Sequence, residues 1–155
     1  MNNRFTGSGA KLTEEALVGA EKMLGRNVPD AYRSFLLKHN GGRPDAAEFQ
    51  MAAARTSTTE PVAIKSFFGI GMPEGTLNLE YALETFGDRI PSWSFPIARD
   101  PGGSLILMAA EGPRKGKIYF WDHDREADDG DPPTEDNLYL IADSLDDFLA
   151  KLTES

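Results

Sequence analysis

The chain has 155 residues, enough for one domain with a good core, and its 40% hydrophobic and 26% charged residues are typical of a globular protein. The formal net charge of −9 argues against nucleic acid and against an anionic membrane surface as direct partners, because both require a basic footprint. No cysteine is present, which excludes disulfides, thiolate metal sites and cysteine catalysis.

The first ten residues are polar and glycine-rich, with no apolar stretch of the kind that signal peptides contain. We therefore predict a flexible tail over residues 1–10, followed by one domain over residues 11–155. No apolar run is long enough to span a bilayer, so we expect the protein in the cytoplasm.

Two helices are predicted at the start of this domain. The first begins after Thr13 as its N-cap, carries acids in its first turn and ends at Gly25. The second has Pro29 where a first helical residue would lie, and it ends at the Asn-Gly-Gly of residues 40–42. Its buried face is expected to comprise Tyr32, Phe35 and Leu36.

Strands dominate the rest of the chain. Segments rich in β-branched and aromatic residues predict strands over 48–54, 61–70, 94–98, 104–109, 117–121 and 138–142. A helix capped by Asn78 and ended by Gly87 interrupts them, and a last helix capped by Ser144 follows them. The short Gly112-Pro113 link requires antiparallel strands on either side. The core face of the last helix is predicted to be Leu145, Phe148, Leu149 and Leu152.

These elements predict an α+β fold in a single domain. It has N-terminal helices, one inserted helix, a C-terminal helix and a mixed, largely antiparallel sheet.

The strand over 117–121 opens into an acidic segment, Asp122 to Asp136. This segment holds eight acidic side chains and one basic one, so it carries most of the net charge of an otherwise nearly neutral chain. Such a concentration indicates recognition of a basic partner more than chemistry. The predicted partner-binding residues are Trp121, Asp122, Asp124, Glu126, Asp128, Asp129 and Asp131. For Trp121 the sequence favours a binding anchor and a core residue equally. For Trp93 it favours packing in the core or at its rim.

The same segment raises the question of a metal. Asp122, His123 and Asp124 are residue types that bind divalent ions, but neighbouring strand residues point to opposite faces, so a polar strand end in solvent is favoured. Asp124 to Glu135 has the length of a calcium loop, yet its sixth position lacks glycine and no helix precedes it. Weak calcium binding by this loop therefore remains an alternative, whereas an EF-hand is excluded. We predict no cofactor and no metal site.

Several short segments between Leu12 and Leu152 form a pattern through their order and spacing. They are Leu24-Gly25, Val28-Pro29, Tyr32, Phe35-Leu36, Asn40-Gly41-Gly42, Ser66 to Ile70, Asn78-Leu79, Pro96 to Ala98, Asp100, Gly102-Gly103, Ile118 to Asp124 and Ala142 to Leu149. This pattern resembles that of the SUKH superfamily, the SMI/KNR-like domains.

That superfamily contains fungal cell-wall-assembly regulators and many bacterial immunity proteins that neutralise polymorphic toxins. The resemblance implies an α+β fold, no enzymatic activity and function through protein binding. The acidic stretch from Asp124 to Asn137 is not part of the shared pattern.

The function expected from the sequence is that of a bacterial immunity protein, and the acidic segment suits a basic toxin domain as its partner. Two alternatives remain, which are a regulatory or scaffold module and a metal-dependent hydrolase using the Asp122-His123-Asp124 region.

Overall fold

The computed structural model describes residues 3–52, 59–128 and 130–154. Four helices and nine strands lie in this part of the chain, with short 3-10 turns at Gly75–Leu77 and His123–Arg125. In chain order they are β1 (Phe5–Thr6), α1 (Glu14–Leu24), α2 (Asp30–Lys38), β2 (Arg43–Pro44), β3 (Glu48–Ala52), β4 (Thr59–Ala63), β5 (Ser66–Phe67), α3 (Leu79–Phe86), β6 (Ser94–Arg99), β7 (Leu105–Ala109), β8 (Ile118–Trp121), β9 (Leu138–Ala142) and α4 (Leu145–Lys151).

The strands form a five-stranded sheet in the order β5-β6-β7-β8-β9, together with two ribbons, β1-β2 and β3-β4. Every pair of these strands is antiparallel, including β7 and β8 on either side of the Gly112-Pro113 link, as predicted. A parallel contact occurs as the isolated bridge between Gly69 and Asn78. The α+β prediction is therefore confirmed.

The helix signals act largely as predicted. Thr13 Oγ1 accepts the Ala16 N–H at 3.1 Å, and Gly25 ends α1 in the left-handed region at a φ of 72°. Pro29 precedes α2 as its N-cap and is not its first residue. None of the helices in the described ranges is long and apolar enough to cross a membrane.

Two predicted elements differ from the structure. The predicted strand over 61–70 is two strands in different sheets, because β4 pairs with β3 whereas β5 pairs with β6. Residues 53 and 54 of the predicted strand over 48–54 lie outside the described residues. Asn78 is the N-cap residue of α3, as predicted, but its side chain makes no capping bond, since its Oδ1 instead accepts the Met72 N–H at 2.7 Å.

The core lies on both faces of the five-stranded sheet. Trp121 packs edge-on against Phe86 of α3, with ring centroids 5.8 Å apart, on one face. On the other face Phe120 approaches Phe49 of β3, which packs 5.2 Å from Phe148 of α4. The predicted face of α4 is confirmed, with Leu145, Phe148 and Leu152 buried and Leu149 partly buried.

The sequence predicts a flexible tail over residues 1–10, and the structure places residues 3–10 of this segment against the domain. Phe5 pairs with Pro44 in the β1-β2 ribbon and stacks on the His39 ring at 4.3 Å. Gly9 N–H donates to the Asn40 carbonyl, and Asn40 Nδ2 donates to the Ala10 carbonyl, both at 2.8 Å. One partly buried aromatic ring and several hydrogen bonds thus attach this polar segment to the domain.

Candidate partner-binding surface

The acidic segment, Asp122 to Asp136, forms the loop between β8 and β9, and hydrogen bonds hold the two ends of this loop together. Asp122 N–H donates to the Asn137 carbonyl at 3.0 Å, and Asn137 Nδ2 donates to the Asp122 carbonyl at 2.9 Å. Asn137 is only 1% exposed, so these bonds lie away from solvent. Asp122 Oδ1 also accepts the Asp124 N–H at 3.0 Å, which turns the chain out of the strand. We call this segment the acidic loop.

Trp121, the last residue of β8, is a core residue. Its side chain is fully buried between the sheet and α3, so it offers no surface to a partner. Of the two interpretations left open by the sequence, core packing is the one that the structure supports. The prediction that Trp121 contacts a partner is therefore corrected. The end of strand β8 is covered by helix α3, although it lies next to the acidic loop.

Arg89, which follows α3, attaches the acidic loop to the domain. Its Nε and one terminal nitrogen donate to the two Glu126 carboxylate oxygens at 2.9 and 2.6 Å, which is a bidentate pair. The guanidinium also lies 4.6 Å from the Phe86 ring centroid and 5.6 Å from that of Trp121. The hydrogen bonds from Arg89 lower the pKa of Glu126, although burial opposes them. Glu126 thus holds the loop in place.

The remaining predicted acids differ in their exposure. Asp124 has 80% of its side chain exposed, and Asp128 and Asp131 are exposed as well. Asp128 and Asp131 make no ion pair within the described part of the chain. Asp122 is half-buried, and Asp129 lies outside the described residues. Asp124, Asp128 and Asp131 therefore face solvent, and none of them pairs with a lysine or an arginine in the described part of the chain.

The fold adds one carboxylate that the sequence did not indicate. Asp88, just after α3, lines a groove of about 530 Å³ together with Asp128 and Asp131, and Arg89 and Glu126 line the same groove. Asp88 is forty residues from Asp128 in the chain, so only the packing of α3 against β8 brings the two together. The surface formed by Asp88, Asp124, Asp128 and Asp131 is referred to below as the acidic surface.

The calcium-loop pattern is not realised as a cage. Glu135, at its twelfth position, pairs with Arg114 at 2.7 Å, and Glu126 pairs with Arg89. Two of the carboxylates that would supply ligands are therefore engaged by arginines. The segment before the loop is strand β8, which agrees with the sequence-based exclusion of an EF-hand.

Asp122, His123 and Asp124 do lie together, each offering a ligand-capable atom, with these atoms all within 4.8 Å of one another. The alternation of a strand would point His123 away from both aspartates, but the strand ends at Trp121 and a 3-10 turn follows, so that alternation does not apply to these residues. Ser104 Oγ accepts the His123 N–H at 3.2 Å and lies 2.9 Å from His123 Nδ1. His123 Nε2 in turn lies 3.3 Å from an Asp124 carboxylate oxygen, so the hydroxyl, the ring and the carboxylate form a continuous chain.

This Ser104-His123-Asp124 chain has the residue types of a hydrolytic triad without the arrangement of one. A nucleophilic serine must be open to its substrate, whereas Ser104 is only 4% exposed. Asp100 Oδ1 accepts the Ser104 N–H at 2.8 Å, which holds this residue within the turn before β7. We interpret the chain as a structural clamp between the β6-β7 turn and the acidic loop.

A second concave region lies beyond the other end of the acidic loop. It encloses about 580 Å³ and is lined in part by Trp93, Pro113, Arg114 and Glu135. The Arg114 guanidinium lies 4.7 Å from the Trp93 ring centroid. Trp93 packs against Tyr119 at 5.4 Å while remaining half-buried, so it is a rim residue, one of the two positions that the sequence favoured.

The comparison with known families decides the classification. The family model of the SMI1 / KNR4 family (SUKH-1) matches residues 11–151. This chain belongs to the SMI1/KNR4 family. The SUKH resemblance noted in the sequence is thereby confirmed, and members of the family are generally non-enzymatic. A similar protein is the SPbeta prophage-derived uncharacterized protein YokK of Bacillus subtilis (strain 168), which is 28% identical over 155 residues, covering 92% of this chain and 75% of that protein.

Proposed function

We propose that this SMI1/KNR4 protein is a non-enzymatic bacterial immunity protein that acts in the cytoplasm by binding and neutralising a cognate polymorphic toxin. Membership of a family that includes many such proteins supports the proposal. The acidic surface supports a basic toxin domain as the partner, such as one that acts on nucleic acid, because binding to phosphates requires a basic surface.

The acidic surface is the observation that carries the proposal. Three of its four carboxylates, Asp124, Asp128 and Asp131, lie on a loop whose two ends are joined by Asn137 and which Glu126 ties to Arg89, just after α3. Such a loop presents its charges in one arrangement, so little conformational entropy is lost on binding. Complementary charge accelerates encounter and disfavours partners of the wrong sign.

The test begins with the product of the gene that neighbours this one, produced in a bacterial host with and without this chain. We expect the neighbouring product to arrest growth and this chain to restore it through a direct complex. Failure of the wild-type chain to restore growth against a toxic neighbour would contradict the proposal. A neighbouring product that binds but is not toxic would favour a regulatory or scaffold module.

Two matched triple variants locate the binding surface. D124N/D128N/D131N removes three charges from the acidic surface, whereas E15Q/D45N/E74Q removes three exposed charges elsewhere. We expect weaker protection of growth from the first variant and full protection from the second. Equal protection by both would leave the immunity function intact and reject the acidic surface as its interface.

A further inference from the structure

Strand β9 leaves one edge of the five-stranded sheet open. At the other edge, Gly42 covers β5, since the Phe67 N–H donates to the Gly42 carbonyl at 2.8 Å and the Gly42 N–H donates back at 3.2 Å. Within the described residues β9 pairs with β8 alone. An open edge carries backbone donors and acceptors that another strand can use.

The hydrogen-bond alternation shows which backbone groups face outward. Asp122 N–H bonds to the Asn137 carbonyl, so the next opposed pair, Trp121 and Leu138, is a non-bonded pair whose backbone groups point away from each other. The Leu138 N–H confirms this direction, because it donates to the Glu135 carbonyl at 3.2 Å. Leu140, two residues further along, directs its N–H and carbonyl to the same open side.

Strand β9 also exposes an apolar side chain, that of Leu140. Leu140 is 52% exposed, and Val18 and Met23 are the other large hydrophobic residues exposed in the described ranges. The sequence of β9, Leu-Tyr-Leu-Ile-Ala, has neither the proline nor the lysine that commonly protects an edge. Lys151 Nζ bonds to the Ile141 carbonyl at 2.9 Å, which covers only the C-terminal end of the strand.

The charges around β9 distinguish between possible occupants. Asp136 precedes the strand and Asp143 follows it, and both are exposed. A second copy paired antiparallel about the strand centre would bring Asp136 of one chain beside Asp143 of the other, which like charges disfavour. A strand with basic residues at both ends and apolar residues between them would place opposite charges beside both aspartates and its own backbone beside that of Leu140.

We propose that the β9 edge binds an extended strand of the partner protein, with lysine or arginine at its ends, as a sixth strand of the sheet. This inference rests on the proposed function for the identity of the partner and specifies how the partner is held. The acidic loop leads directly into β9, so the charges that attract a basic partner lie beside the edge that would bind its backbone.

The test uses two synthetic seven-residue peptides with the same alternating threonine and valine centre, one flanked by lysines and the other by glutamates. Amide exchange is followed by NMR on the full chain. With the lysine-flanked peptide at about nine times its Kd, the Leu140 amide should exchange about tenfold more slowly, because only the free edge exchanges. The Tyr139 amide, which already bonds to β8, should change little.

Two variants separate backbone pairing from charge. L140P removes an outward N–H that β8 does not use, and it should abolish peptide binding; the retained spectrum of the other amides serves as the folding control. D136N/D143N keeps every backbone group and should weaken binding of the lysine-flanked peptide. The control E15Q/D45N should bind that peptide as the wild type does.

Three outcomes would overturn the inference. They are unchanged Leu140 exchange with the lysine-flanked peptide, equal protection by both peptides, and protection that grows with protein concentration alone, which would assign the edge to a second copy. Growth rescue by L140P without peptide binding would reject the edge and leave the immunity function standing. If the wild type binds the peptide but does not restore growth, the edge is supported and the immunity function is contradicted.

Discussion

Two arginine–glutamate pairs reduce the charge that the acidic loop can offer a partner. Arg89 engages Glu126 through a bidentate pair, and Arg114 engages Glu135 in a more exposed one. The charge that remains open is carried by side chains such as Asp124, Asp128 and Asp131. Counting acids in the sequence therefore overstates the partner surface, because some of them stabilise the loop itself.

Replacing Glu126 by Gln should lower the free energy of unfolding by about 1 kcal/mol at neutral pH, since the pair is charge-assisted and only partly screened. The pKa of Glu126 is lowered in the folded state, so its contribution is complete above the ordinary carboxyl value of 4.5 and is lost as the pH falls through the lowered value. Denaturant unfolding at pH 6.5 and at about pH 3.5 measures this difference.

The matched control is Glu135→Gln, whose pair with Arg114 is more exposed and should contribute less than about 0.5 kcal/mol. A difference between wild type and Glu126→Gln that stays constant from pH 6.5 to about pH 3.5 would show that the ionised pair does not stabilise the loop.

Trp121→Ala should destabilise the fold by about 3–5 kcal/mol, because the ring is fully buried against Phe86. Trp93→Ala, at the half-buried rim, should change stability by no more than about 1 kcal/mol. Urea unfolding of both variants measures the contrast. Faster dissociation of a partner from a Trp121→Ala protein of unchanged stability would instead restore Trp121 as an anchor.

Among the elements, short backbone pairings near both chain ends attach the terminal segments to the domain. The β1-β2 ribbon packs Phe5 against α2, and Thr153 bridges to Glu48 at the start of β3. These contacts involve few residues and long separations along the chain. They explain why the element at the N-terminus was absent from the sequence-based assignment.

Phe5→Ala should detach residues 3–10 without unfolding the rest. The ring contacts Phe35, His39 and Phe67, and removing it leaves residues 3–10 held mainly by hydrogen bonds, such as that of the Gly9 N–H to the Asn40 carbonyl. Amide exchange at Thr6 and Gly9 should accelerate, while amides of β7 and β8 keep their protection. If these two amides exchange at unfolded-chain rates in the wild type, residues 3–10 are the flexible tail that their composition predicts.

At the scale of elements, sequence periodicity and capping located the four helices and most strands, because those signals are local. Thr13, Gly25 and Ser144 act within one turn of themselves, so their roles could be predicted. The attachment of residues 3–10, the burial of Trp121 and the approach of Asp88 to Asp128 all depend on contacts distant in sequence. No local pattern carries that information, and the acidic surface was correspondingly predicted only in part.

At the scale of the whole molecule, the charge is arranged asymmetrically. Most of the net charge of −9 lies in one loop at the end of β8, above a core that spans both faces of the sheet. An asymmetric field of this kind orients an approaching basic protein before contact. The open edge of β9 lies next to the same loop, so steering and docking would involve adjacent parts of one surface.

The fold should not depend on a metal, even though Asp122, His123 and Asp124 lie together. The apolar core is continuous through the sheet and helices, and hydrogen bonds from Ser104 and from the Asp124 N–H already engage the cluster. Excess chelator should change Tm by less than about 1 °C, the shift expected for a few tenths of a kcal/mol. A fall of about 5 °C or more would assign the cluster a structural ion.

The central claim is that the acidic surface attracts a basic toxin domain, and association kinetics test it most directly. The rate constant for binding of the neighbouring gene's product is measured for the wild type, D124N/D128N/D131N and the control E15Q/D45N/E74Q, at low and high salt. We predict that the first variant associates about tenfold more slowly at low salt, with a weaker salt dependence, while the control matches the wild type. Equal association rates and salt dependence for all three proteins would contradict the account.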